Sequence, residues 1–232
     1  MNLRIFDSTD DLVEATARTI EQRAAGRESL SVAISGGSTP KPLYEMLGRS
    51  PHKETLAKTR IVWVVVDERH VPITDPQSNE AMIRGTLFAN GISPNHAFLR
   101  FDTSLGDPAK TAGQFEREWK DLKIDTLDMV LLGMGDDGHT ASLFPGTDVL
   151  EVSDRIAAPV FVPRMNQWRV TLTFPVIRAA ALRIVMTAGE SKRSMLQQVR
   201  DGAGYPIARA TAEGETWWFI DRPASGDVDD SV

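Results

Sequence analysis

Ile61-Val62-Trp63-Val64-Val65-Val66 is apolar at all six positions, and the run ends abruptly on Asp67-Glu68-Arg69-His70. Successive side chains of a strand point to opposite faces, so a strand with one wet side alternates, and a strand with no polar position is covered on both. The stretch predicts a central strand of a parallel sheet. Further β-rich runs stand at Leu3 to Phe6, Ser29 to Ile34, Asp128 to Met134, Arg169 to Phe174, Leu182 to Ala188 and Thr216 to Ile220. Helical signals lie between several of them. Ser8 and Asp11 have the S-x-x-D capping spacing and open a helix that ends before Gly26, while Leu43, Met46 and Leu47 mark one face of another. Strands alternating with helices in this way indicate an α/β fold, a doubly wound sheet with helices on both faces.

The composition bounds what such a fold does. The chain has 232 residues, 26 basic and 32 acidic, for a net charge of −6, and it has no cysteine. One large α/β domain over residues 1–222 is expected, followed by a frayed acidic tail at 223–232. Disulfides and thiol catalysis are excluded. The apolar runs fall far short of the roughly 20 residues of a membrane span, and the opening segment lacks a basic stretch followed by an apolar core, so a cytoplasmic location is expected. The negative charge gives no general attraction to nucleic acid or to an anionic membrane, so neither is expected as a partner. An anionic ligand must then be met by a local positive site.

In open parallel sheets ligands sit beyond the carboxyl ends of the strands, which directs attention to the residues after each apolar run. The first rich exit is Ser35-Gly36-Gly37-Ser38-Thr39-Pro40. Its glycines let backbone amides approach a ligand closely, Ser38 or Thr39 is positioned to cap the following helix, and an anion is favoured at a helix start. The same residues also suit a tight strand-to-helix turn with no ligand, and the P-loop spacing is absent. The second exit is Asp67, Glu68, Arg69 and His70, followed by Ser78 and Asn79. It reads either as a solvated loop or as a polar site in which Arg69 forks onto phosphate oxygens. The third is Gly133-Met134-Gly135-Asp136-Asp137-Gly138-His139. Its glycines match G-x-G-x-x-G, but two aspartates stand where a dinucleotide pyrophosphate would need room without negative charge. His139 is the candidate general base, and the neighbouring Asp137 is placed to fix its tautomer. A zinc reading with Asp136, Asp137 and His139 lacks a second histidine at helical spacing. His52, His70 and His96 lie in polar surroundings and are expected at the solvated surface. With no G-x-S-x-G elbow and no cysteine, water is the more natural attacking group.

Together these loops resemble those of the 6-phosphogluconolactonases, within the glucosamine/galactosamine-6-phosphate isomerase superfamily. The likeness runs through "SGGSTPKPLYEML", "VDERHVPITDPQSNEAMIRGTLF", "LDMVLLGMGDDGHTASLFPGT", "RVTLTFPVI" and "WWFIDRPA", in family order over most of the chain. It implies a modified Rossmann-like three-layer sandwich and hydrolysis of 6-phospho-D-glucono-1,5-lactone to 6-phospho-D-gluconate without metal or cofactor. It also implies functional coupling to glucose-6-phosphate dehydrogenase in the pentose phosphate pathway. Residue by residue, it implies that His139 activates water and Asp137 orients it. Ser35, Gly36, Gly37, Ser38, Thr39, Asp67, Arg69 and Asn79 would hold the phosphate and sugar, with Arg169 and Lys192 as further basic groups of the site. Family members often carry Glu where Asp136 stands. The stretch Tyr205 to Ala210 is a loose match and carries no assigned role.

Two rivals bear on this reading. Amino-sugar-phosphate isomerase/deaminases share the Gly loop, the acidic strand exit and a D-G-H motif. They continue, however, into an Ile-Ala-Phe-Asn-Glu-Pro type sequence with another carboxylate, whereas this chain reads "TASLFPGT" with no acid until Asp148. A non-catalytic sugar-phosphate sensor would need an output module, and neither a helix-turn-helix segment nor a basic face is evident.

Overall fold

Every residue of the strand Leu182–Thr187 is buried, which requires a sheet covered on both faces. The computed structural model describes residues 1–226. Its strands are β1 (Asn2–Phe6), β2 (Ser29–Ile34), β3 (Arg60–Val65), β4 (Asp67–Arg69), β5 (His96–Leu99), β6 (Met129–Gly133), β7 (Ala157–Val162), β8 (Gln167–Leu172), β9 (Leu182–Thr187) and β10 (Thr216–Asp221). The α-helices are α1 (Thr9–Ala24), α2 (Lys41–Leu47), α3 (His52–Leu56), α4 (Asn79–Thr86), α5 (Pro108–Asp121), α6 (Phe174–Ala179), α7 (Arg193–Arg200), α8 (Pro206–Ala210) and α9 (Arg222–Ser225).

Seven strands form one sheet in the order β1-β10-β9-β6-β2-β3-β5, and each of these pairings is parallel. From β2 the chain winds outward through β3 to β5, then returns to lay β6 against the other side of β2. The winding direction reverses there, so the loops leaving β2 and β6 diverge and open a crevice at the carboxyl end of the sheet.

The run from Ile61 forms β3, one place in from the edge strand β5 rather than at the centre, yet it is buried along its apolar length. The strand at Arg169 does not join this sheet. It forms β8, the middle of a separate antiparallel sheet ordered β4-β8-β7. Val66 is where the chain passes from one sheet to the other: its N–H donates to Ile34 O at 3.0 Å, and its carbonyl accepts from Leu172 N at 2.8 Å. The acidic-basic exit after β3 is thus itself a strand, pinned across from β8.

Helix α1 starts as its spacing predicts, with the Ser8 side chain accepting from Asp11 N and Leu12, Val13, Ala17 and Ile20 buried below. At α2 the expectation fails. Pro40 occupies the N-cap position without any side-chain cap, and neither the Ser38 nor the Thr39 hydroxyl bonds another described residue. Of the tail expected over 223–232, residues 223–226 are described and lie in and just after α9. The Asp221 side chain caps α9 by accepting from Ala224 N at 2.9 Å, and Ala224 and Ser225 are buried. Residues 227–232 lie outside those described.

The three histidines expected at the surface are each half-buried and bonded. His52 meets Glu21, His70 meets Thr111, and His96 lies between Trp63 and the Leu56 carbonyl. Among the described residues no helix is long and apolar enough to cross a membrane.

Candidate active site

The crevice at the reversal point is a cleft of about 220 Å³. Its wall includes Ser35 to Pro40 from the β2 exit, Asp67 and Arg69 from β4, and Asn79 from the start of α4. It also includes Gly133, Gly135, His139 and Thr140 from the β6 exit, Arg169 from β8 and Lys192 beyond β9. Of the residues to which the resemblance assigns a role, only Asp137 is absent from the wall, and it stands directly behind His139.

The β6 exit folds back sharply on itself. Gly135 N–H donates to His139 O at 2.9 Å, and Gly138 N–H donates to Gly135 O at 3.0 Å. A Cβ at Gly135 would stand 2.0 Å from His139 Nδ1, so the ring fits over this turn only because residue 135 has no side chain. His139 Nδ1 lies 2.5 Å from Asp137 Oδ1, and the same oxygen accepts the His139 backbone N–H at 3.2 Å. An ionised carboxylate only accepts, so Nδ1 carries the hydrogen and Nε2 keeps a lone pair. Nε2 bonds no described residue. The ring stacks on Phe144 at 4.1 Å between centroids, and its side chain is 23% exposed. Burial pulls the imidazole below its ordinary pKa, against the upward pull of Asp137, which keeps the ring neutral and able to accept a proton near pH 7. Burial alone would raise Asp137, but the bond to His139 and the Arg164 cation outweigh it and hold the carboxylate ionised.

The positive charge is concentrated in an unusual way. Arg69 and Arg169 are directly opposed in the β4–β8 register. Like charges facing each other across strands are destabilising, and one counter-charge, Asp67, lies 4.0 Å from Arg169. The Arg169 side chain is 8% exposed, and burial lowers its affinity for its proton. Arg69 donates through Nη1 to Gln77 O at 2.5 Å, and its buried Nε has no partner among the described residues. Lys192 reaches the cleft from the 3₁₀ turn after β9 and is held by Asp136 at 2.5 Å. The two adjacent aspartates therefore divide their work: Asp136 steadies a cation and Asp137 the imidazole.

Other predicted residues brace the walls. Ser35 Oγ donates to Leu131 O at 2.7 Å, tying β2 to β6, and Asn79 Nδ2 donates to Asp67 O at 2.7 Å, tying α4 to β4. The Asn79 amide lies so close to Gly36 that a Cβ there would meet Oδ1 at 1.8 Å. Asp67 Oδ2 accepts from Ser142 Oγ at 2.6 Å. Glu68 points the other way and is 1% exposed. It accepts from the backbone of Arg69, Asn79 and Glu80 at 2.7 to 2.8 Å. Burial pushes its pKa up to about 7 even so, the three N–H groups pulling it down.

Sequence reasoning missed Phe144, Arg164, Ser142 and Tyr205. Phe144 lies in a motif already quoted, and its period gave no hint that it faces the histidine. Arg164 sits in the turn between β7 and β8, a hairpin that was not read at all. Tyr205 belongs to the stretch given no role, yet it packs against Gly138, and Ile207 N–H donates to Gly138 O at 3.0 Å, so this segment clamps the histidine turn.

A parallel sheet whose reversal-point cleft brings a histidine together with clustered cations defines an α/β protein of the doubly wound class. Residues 7–218 match the family described as "Glucosamine-6-phosphate isomerases/6-phosphogluconolactonase", and the chain belongs to that family. It is 36% identical over 208 residues to the 6-phosphogluconolactonase of Nostoc sp. strain PCC 7120, covering 85% of this chain and 84% of that one. It is 35% identical to the 6-phosphogluconolactonase of Synechocystis sp. strain PCC 6803, covering 92% and 90%. The crystal structure of 6-phosphogluconolactonase from Leishmania guyanensis superposes with a TM-score of 0.86 at 26% identity, over 98% of both chains.

Proposed function

We propose that this chain is a lactone hydrolase of the pentose phosphate pathway that opens 6-phospho-D-glucono-1,5-lactone to 6-phospho-D-gluconate. The family membership supports the reaction class. The observation that carries the mechanism is His139, bonded to Asp137 behind it and free at Nε2, in the wall of a cleft that also holds Arg69, Arg169 and Lys192.

In this reading the Ser35–Thr39 loop, Asp67, Asn79 and the three cations hold the phosphate and sugar, which fixes where the lactone carbonyl lies relative to the imidazole. The unengaged hydroxyls of Ser38 and Thr39 and the unpaired Nε of Arg69 are groups a sugar phosphate would satisfy. A water in the cleft gives its proton to His139 Nε2 as its oxygen attacks C1. The tetrahedral intermediate collapses with cleavage of the bond between C1 and the ring oxygen, and the imidazolium returns the proton to that leaving oxygen. Asp137 stabilises the imidazolium in between without itself taking the proton. A general base of this kind typically contributes about 10²- to 10⁴-fold, roughly 3 to 5 kcal/mol. The substrate would come from glucose-6-phosphate dehydrogenase, and the working location is the cytoplasm.

The test is a coupled assay in which the phosphorylated lactone is generated freshly by that dehydrogenase and its loss is followed above spontaneous opening. Acceleration, with much poorer turnover of unphosphorylated gluconolactone, supports the reading. A rate equal to the spontaneous one contradicts it, and release of ammonia from glucosamine 6-phosphate would replace it with the deaminase alternative.

A further inference from the structure

Arg164 lies outside the cleft wall, on the 3₁₀ turn Pro163–Met165 that joins β7 to β8, with its side chain 50% exposed. An isolated ion pair at such exposure contributes little to stability. Its location gives it another role. Its Nη2 forms an ion pair with Asp137 Oδ2 at 2.7 Å, the carboxylate oxygen that His139 does not use. Asp137 is therefore gripped at both oxygens, by the base on one side and by the hairpin on the other. The same guanidinium stands 4.9 Å from the centroid of Phe144, the ring stacked on His139. Arg164 thus touches both groups that hold the imidazole without touching the imidazole or the substrate space. The hairpin turn is itself braced, since Arg169 Nη2 reaches Met165 Sδ at 3.1 Å and Asn166 takes the left-handed conformation that ends the turn.

We propose that Arg164 is a positioning residue for His139, fixing the Asp137 carboxylate from outside the cleft and balancing its negative charge. This inference rests on His139 being the base. Without Arg164 the carboxylate is held through Oδ1 alone, by the ring and backbone N–H of His139, and its unbalanced charge stabilises the imidazolium, which holds the proton the base must return. A cation behind the carboxylate opposes both effects. The charged groups facing His139 are Asp137 on its own loop, Asp67 on β4 and Arg164 on the hairpin turn, and Arg169 on β8 shares Phe144 with them. Of the two cations, Arg164 is the one ion-paired with Asp137.

The four histidines allow a direct readout. The Cε1–H signal of His139, identified by its loss in His139→Asn, is titrated by NMR in substrate-free wild type, Arg164→Gln, Arg164→Met and Arg164→Lys. Glutamine and methionine are expected to move the His139 midpoint upward, and lysine to restore it toward wild type. The signals of His52, His70 and His96 should stay in place. In the lactone assay the acid limb of kcat/KM should move by the same amount as the NMR midpoint, and kcat should fall about tenfold with KM nearly unchanged. An unmoved His139 midpoint in both Arg164→Gln and Arg164→Met overturns the inference. The titration needs no turnover, so a protein that fails as a lactonase but shows the shift would sink the proposed reaction and leave the Arg164 coupling standing.

Discussion

The two ends of the parallel sheet each hold buried arginine, and they use it in opposite ways. At the amino end Arg183 on β9 is 0% exposed, with every nitrogen engaged. Nε donates to Thr216 Oγ1 at 2.9 Å, Nη1 to the carbonyls of Arg178 at 2.5 Å and Ala180 at 3.2 Å, and Nη2 to those of Glu213 and Glu215. It ties the end of α6 and the loop before β10 to the sheet. At the carboxyl end Arg69 and Arg169 face each other, Asp67 lies 4.0 Å from Arg169, and Arg69 Nε has no partner among the described residues. A guanidinium surrounded by carbonyls completes a fold, whereas two opposed guanidiniums beside an open cleft leave a donor unspent. Burial alone does not separate a structural arginine from a functional one; the state of its donors does.

The largest effect expected from this contrast is on stability, at the amino end. Arg183→Met strands several carbonyls and should lower unfolding free energy by roughly 3 kcal/mol or more, while the fraction still folded keeps its kcat/KM. Urea titration beside the lactone assay checks both halves. At the carboxyl end, Gly135→Ala should leave the midpoint of unfolding nearly unchanged while pushing the His139 ring aside, with kcat falling by about 10². Arg69→Ala should raise KM for the phosphorylated lactone about tenfold and leave unphosphorylated gluconolactone almost unaffected, since one charge-assisted contact is lost. Equal losses on the two substrates would show that Arg69 does not grip the phosphate.

The smallest effect is in the pH profile. In the proposed mechanism His139 must be neutral, and burial favours its neutral form, so kcat/KM should stay level down through pH 7. It should then decline, with a midpoint below the ordinary imidazole value of about 6.5. A midpoint above that value would mean that Asp137 outweighs burial in solution.

Much of this is legible in the sequence. The six-residue apolar run and its relatives gave the parallel sheet because full burial erases the alternation that a wet face imposes, and the charged or glycine-rich exits marked the end where the cleft lies. The antiparallel sheet was not legible. Residues 167–172 alternate too briefly to announce a partner, and pairing with β4 depends on Val66 sitting in register between two sheets. The support of the base escaped for the same reason. Phe144, Arg164 and Tyr205 reach His139 or its turn from three separate segments, and spacing along the chain reports only neighbours within one element. Ser38 and Thr39 illustrate a subtler failure, because capping chemistry identified the right loop and assigned its hydroxyls to the helix instead of leaving them facing the cleft.

The central claim is most directly tested by following freshly generated 6-phosphogluconolactone with wild type and with His139→Asn, each measured against spontaneous ring opening. The account predicts that the asparagine variant folds and still binds 6-phosphogluconate, but loses at least about 10² in kcat. A variant that turns over within a few fold of wild type would contradict it.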